Sequence, residues 1–237
     1  MQKLHRVYQP FLLRLFHGLV GIFTLAAMTT GFWVYNVFDG RWGRINFAFV
    51  TDIQEIHGSF GILSFLAFPS FVVYAFRKGQ KRLVQPYFLR TFVQFGCRGW
   101  WLNLHQAINT LIIIPLALAL FSGQMMDGSW LPNRELDHFW YSLHILSWLF
   151  LSLCLILHIL LSAKVGGTPL LLSIVNLRFS AKDSPAYWPY NIRRWFNSIR
   201  SATIMAWWNS AGFYQYMEVT LLSSMVLSLI LSAFHES

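Results

Sequence analysis

The chain has 237 residues, of which 56% are hydrophobic and 11% charged, and its formal net charge is +9. A soluble domain carries about a quarter charged residues, so this composition excludes a soluble globular protein. With several apolar stretches near the ~20 residues that cross a bilayer, it indicates an all-α integral membrane protein. The positive excess sits between the apolar stretches, which excludes nucleic-acid binding and fits charge that sets membrane orientation.

The first predicted span runs from Leu15 to Val37. The segment before it is basic, and no small-residue cleavage site ends the apolar run, so it reads as a retained helix. The second runs from Ile56 to Phe76, the third from Leu102 to Met126 and the fourth from Phe139 to Ala163. Pro69 and Pro115 fall inside spans two and three, where membrane helices tolerate proline with a local kink. Beyond Ala163, "VGGTPLLLSIVNL" is too short to span, and the basic, aromatic stretch 178–201 suits the membrane interface. Val219–Phe234 is uncharged throughout; a short fifth span and a helix lying against the core are both open. The expectation is a four-helix transmembrane bundle over residues 1–165 and a C-terminal extension over 166–237, with no internal repeat of helix pairs.

Loop charge sets an expected orientation. Lys3, Arg6 and Arg14 precede span one, while Arg77, Lys78, Lys81, Arg82, Arg90 and Arg98 lie between spans two and three. Lys164, Arg178, Lys182, Arg193, Arg194 and Arg200 follow span four. The other side has only Arg41, Arg44 and Arg134, with Asp39, Asp52, Glu55, Asp127, Glu135 and Asp137. The N-terminus is therefore expected in the cytoplasm if the membrane is the cell's inner membrane, or on the stromal side of a thylakoid. Cys97 and Cys154 make no disulfide framework, and without Cys-x-x-Cys-His a covalently attached haem is excluded.

Histidines carry the chemistry. His144 and His158 bracket "ILSWLFLSLCLIL" in span four. Their separation gives about 21 Å of rise and a net turn about 40° short of four full revolutions. Both imidazoles thus point to nearly one side, at opposite depths. His17 in span one matches the depth of His158, and His57 in span two matches that of His144. Paired imidazoles across a flat macrocycle make a six-coordinate iron suited to electron transfer. A lone membrane histidine is as readily explained by a hydrogen bond across helices, but polar groups at two matched depths point to function. Zinc usually gathers three or four ligands in one place, and here each depth offers two. Gly18, Gly21, Gly31, Gly58, Gly61 and Gly123 admit a porphyrin close to backbone, or equally a close helix packing. Gly31 follows His17 at the same interval that separates the two histidines of span four, at the depth of His57. His105 opens span three and is a candidate contact to a haem propionate or a quinone, or an interfacial residue. Arg14 and Arg98 are candidates to pair with propionates at the inner depth. His138 reads as a loop residue.

At these residues the chain resembles the bacterial cytochrome b561 family, and with it the b-type cytochrome subunits of nickel–iron hydrogenase and of some formate dehydrogenases. "RLFHGLVGIFTLAAMTTG", "IHGSFG" and "NLHQAINTLIIIPLALALFSG" are similar to that family's first three helices. The resemblance implies His17, His57, His144 and His158 as ligands of two non-covalent b haems, and electron transfer to or from a quinone. It departs at Gly18, where the family usually has Trp, at the additional His105 and in the long tail. Several roles stay open: a quinone-linked oxidoreductase in its own right, an anchor and electron conduit for another redox subunit, or a haem-free structural subunit. Self-association into a homodimer is also open.

Overall fold

The computed structural model describes residues 8–48, 50–93, 95–176, 178–180, 183–198 and 212–235. They form α1 (Phe11–Phe38), α2 (Ile53–Arg77), the short α3 (Phe88–Phe92), α4 (Arg98–Leu111), α5 (Ile113–Gln124), α6 (Phe139–Ser173), α7 (Trp188–Ser198) and α8 (Phe213–His235). No strand occurs among the described residues. Lipid offers no partner to a free backbone amide, so each long apolar run satisfies its own hydrogen bonds as a helix. Among the described residues five stretches are long and apolar enough to cross a membrane: α1, α2, Gly99–Gln124 across α4 and α5, α6, and Phe213–Phe234 of α8.

Proline acts differently in the two places where it was expected to kink a helix. Pro69 is accommodated inside α2 without ending it. Pro115 has no N–H to give the carbonyl one turn earlier, and the third span parts at Ile112 into α4 and α5. Ile112 N still reaches Ile108 O at 3.0 Å, and Leu116 N reaches Ile112 O at 3.3 Å, so the two pieces remain stacked. The fourth span outruns its predicted end at Ala163. It stays helical to a break at Gly167, whose φ of 62° is the left-handed region that side chains disfavour, and resumes past Pro169.

The C-terminal alternative resolves as a helix of span length. Near its start, Arg77 Nε donates to Glu218 Oε1 at 2.8 Å, and Tyr214 Oη donates to the Val84 carbonyl. Near its end, Ser232 borders a cavity shared with Gln54 and Gly128, at the opposite end of the bundle. α8 therefore runs the bundle's length, packed on α2 and α5. Phe68, Val72 and Phe76 of α2, Ile113 and Leu120 of α5, and Leu221 and Met225 of α8 share one core. Outward residues such as Ile22, Leu66, Leu153 and Leu160 are exposed, as expected of a surface in contact with lipid.

The stretch expected at the interface folds back onto the start of α1. The Asp183 carboxylate accepts from Phe11 N and Tyr8 Oη, which caps the N-terminus of that helix. Trp188 stacks on Phe11 with ring centres 4.4 Å apart. His5, Lys3, Arg6, Lys182, Arg200 and the remainder of the basic stretch to Ser201 lie outside the described residues, as does the side chain of Arg98.

Glu218 is 2% exposed, whereas the Arg77 side chain is 48% exposed. Removing the cation leaves a buried carboxylate short of its ion-pair partner, and half-exposure of the guanidinium tempers the loss. Arg77→Ala is expected to destabilise the protein by about 1–3 kcal/mol. Thermal unfolding in detergent checks this, with Arg77→Met/Glu218→Leu expected to unfold at a higher temperature than Arg77→Ala.

Candidate functional site

The two depths expected from span four appear as two clusters of imidazoles. One lies at the end where α1 begins (the near end), the other at the end where α1 passes into α2 (the far end). At the far end, His57 of α2 faces His144 of α6 with ring centres 5.9 Å apart and planes at 75°. Both are seated alike. His57 Nδ1 lies 3.0 Å from the Ala27 carbonyl, and His144 Nδ1 lies 3.0 Å from the Ala119 carbonyl. A carbonyl only accepts, so each Nδ1 carries the proton and each Nε2 keeps a lone pair. Hydroxyls reinforce the seats, Thr30 Oγ1 at 3.4 Å from the first Nδ1 and Ser122 Oγ at 3.1 Å from the second.

A glycine completes each seat. A methyl on Gly31 would come within 2.9 Å of His57 Cε1, and one on Gly123 within 3.4 Å of His144 Cε1. The supporting segments read Ala27-Met-Thr-Thr30-Gly31 and Ala119-Leu-Phe-Ser122-Gly123. The same Ala-x-x-(Thr/Ser)-Gly seat is thus used twice, once by the α1–α2 pair and once by α5–α6. This is a local likeness between helix pairs that otherwise differ in sequence. Only the alanine, hydroxyl and glycine positions carry it, while the intervening and flanking residues differ freely.

Two cavities flank the facing rings. One, of about 380 Å³, is bounded by Gly31, Tyr35, Arg44, Tyr141, His57 and His144. The other, of about 330 Å³, shares both histidines and reaches Thr24, Gly58, Gly61, Ser64 and Gln54. A methyl added to Gly58 or Gly61 would meet no protein atom within 4 Å. Trp148, one turn beyond His144, borders both cavities and donates from Nε1 to the Met28 carbonyl at 3.2 Å.

At the near end His17 of α1 lies beside His158 of α6, ring centres 6.0 Å apart and planes at 34°. His158 Nδ1 bonds Asn109 Oδ1 at 2.9 Å, and Asn109 Nδ2 in turn donates to the Arg82 carbonyl at 3.0 Å. The Nδ1 of His17 is buried without a hydrogen-bond partner. His105 lies inside α4, because the third span starts earlier than expected. Its ring is 5.8 Å from that of His158, and its Nε2 bonds Ser162 Oγ at 3.0 Å. Arg14 is buried in an aromatic cage, its guanidinium carbon 5.5 Å from the Tyr8 ring centre and 5.4 Å from that of Phe179. Its Nε and Nη2 have no hydrogen-bond partner. His138 is a loop residue, stacked on Trp130 at 3.9 Å.

These residues can be tested for their fit to an iron porphyrin. A metal–imidazole bond is about 2.0–2.1 Å and a ring centre lies about 1.2 Å behind its nitrogen, so two opposed ligands have centres about 6.4 Å apart. The 5.9 and 6.0 Å separations come within about half an ångström of this. Protons held on the far nitrogens by carbonyls are the usual companion of metal ligation. Among the described residues no group of three or more His, Cys, Asp or Glu side chains forms a metal cluster. The residues fit.

The model of the prokaryotic cytochrome b561 family matches residues 8–176. The chain belongs to that family. Membership carries b-type haem and a membrane cytochrome's work of electron transfer. Neither a curated protein nor a solved structure matches the chain. The matched stretch contains both imidazole pairs, both Ala-x-x-(Thr/Ser)-Gly seats and Asn109, and it ends before α7 and α8.

Asn109, Ser122, Thr30 and Trp148 were not singled out from sequence. Asn109 lay one turn past His105 on the same helix face, and the Thr-Gly and Ser-Gly pairs were legible, but their acceptor roles depend on how the helices cross. Gly31→Ala is expected to displace the His57 ring and weaken haem absorption, whereas Gly123→Ala, whose added methyl would only touch His144 at 3.4 Å, is expected to have a smaller effect. Ser122→Ala, which leaves the Ala119 carbonyl in place, is expected to keep the haem with a shifted potential. Visible spectra and redox titration of the three purified variants check this.

Proposed function

We propose that this cytochrome holds two non-covalent b haems, one between His57 and His144 and one between His17 and His158, and carries electrons across the membrane to or from a quinone. The observation that supports this most directly is the pair of facing imidazole couples at opposite ends of one helix. Bis-imidazole haem iron supplies a one-electron couple with no open position for oxygen chemistry. The chain's own residues do the remainder. Ala27 and Ala119 orient the far-end rings through Nδ1, and Asn109 does so for His158. Burial by α2, α5 and α8 excludes water. Arg14, buried without hydrogen-bond partners for two of its nitrogens, would pair with a propionate of the near-end haem. His105, bonded to Ser162, stands beside His158 as a contact for that haem or for quinone.

The near end, rich in basic residues, would face the cytoplasm of a cell whose inner membrane holds the protein. Residues 1–165 would form the haem domain and 166–237 an extension that packs on it. An anchor and conduit role for a second redox subunit has its own support in Arg193 and Arg194, exposed on α7 at the near end. Co-purification of a partner would favour that version; quinone reduction by the chain alone would favour the first.

A redox-titrated visible spectrum of the purified chain is expected to show two reversible b-type components. His158→Ala or His17→Ala should remove one, and His57→Ala or His144→Ala the other. Retention of both components in His158→Ala would overturn the pairing.

A further inference from the structure

The loop between α1 and α2 is built around one arginine that no other part of the site uses. The loop folds over the far-end cavity and is fastened at several points. Asn36 bridges to Ile45 in both directions, Nδ2 to the Ile45 carbonyl at 2.9 Å and the Ile45 amide to Oδ1 at 2.6 Å. The Trp42 amide donates to Tyr35 Oη. The Asp39 side chain, 1% exposed, accepts from Arg41 Nε at 2.9 Å and from Tyr141 Oη at 2.8 Å. That carboxylate is therefore fully engaged, and it does not pair with Arg44.

Arg44 instead lies across Gly40 and donates from Nη2 to the Asp39 carbonyl at 3.0 Å. Gly40 has φ of 68°, and a methyl there would collide with Arg44 Nε and Cγ. The turn is thus shaped to let this side chain lie flat. Arg44 borders the same cavity as His57 and His144, and no other residue bordering that cavity carries a fixed charge. Among the described residues no carboxylate forms an ion pair with it.

We infer that Arg44 is the anchor for a carboxylate at the far-end site, and that this carboxylate is a propionate of the haem held by His57 and His144. The inference rests on the functional reading above. A guanidinium left with free donors at the polar rim of an otherwise apolar cavity is the group that carboxylates pair with most strongly. Its positive charge favours the reduced, less positive iron, and its pairing with the propionate favours retention of the haem, so the two effects have separable readouts: potential and haem retention.

The test is a redox titration of the full-length purified chain in buffer without carboxylic acids, with haem counted per polypeptide. The far-end component is the one that His57→Ala removes. Arg44→Gln is expected to shift the potential of that component alone, or to release that haem alone. Arg44→Lys should restore most of the change. Gly40→Ala, which pushes the side chain off its bed, should reproduce it without touching the cation. Arg134→Gln, at another arginine on the same side, should leave both components unchanged. Arg44→Gln with both components at their original potentials and full haem content would overturn the inference. So would an equal shift from Arg134→Gln, or a shift seen only after a small soluble carboxylic acid is added. If His57→Ala keeps the component that Arg44→Gln shifts, the placing of the haem fails and the cation's role stands.

Discussion

An imidazole inside a membrane has two nitrogens, and both must be satisfied or used. That constraint organises the centre of this protein. At the far end each ring gives its Nδ1 proton to the carbonyl of an alanine on the neighbouring helix, which leaves the other nitrogen with its lone pair. A helical carbonyl is already the acceptor of its own ladder, so it can take a second donor only where the neighbouring side chains are small. The glycine four residues on from each alanine meets that need, because it lets the ring come within reach. Helix spacing, ring tautomer and the choice of glycine are three aspects of one contact.

The near end is arranged by different means. Its supporting acceptor is an amide side chain, Asn109, itself tied to the Arg82 carbonyl in the connection after α2. A third imidazole, His105, adjoins the pair, and an arginine is boxed by aromatic rings close by. Arg14 and His17 keep buried nitrogens without partners here, whereas the two far-end rings are bonded symmetrically. On the two-haem reading proposed above, this asymmetry would give the centres unlike potentials, because hydrogen bonding and burial tune haem iron.

The helices were legible because lipid leaves the backbone no alternative, and their ends differ from expectation mainly where glycine or proline intervenes. Matching the depths of His17 with His158 and of His57 with His144 required only the helical rise, and those rings are neighbours in the structure. What sequence could not supply was the acceptor of each Nδ1. Ala27 and Ala119 look like any other small residues in an apolar run, and only the crossing of the helices brings their carbonyls under a ring. The C-terminal helix was undecidable for a related reason. Its sole buried charge, Glu218, looks unfavourable until Arg77, distant in sequence, is placed beside it. Arg44 read simply as loop charge, since nothing local reveals the cavity that its loop covers.

One rod, α6, bears a histidine of each pair, and its helical path is unbroken between them, the break coming only at Gly167. The gap between the two stations is consequently set by covalent geometry, like marks on a ruler. Breathing of the surrounding helices can tilt or solvate either station, but it cannot bring them together or draw them apart. With a haem at each station, as proposed, regulation of electron transfer between them would act on driving force or on occupancy, because the length of the jump is built in.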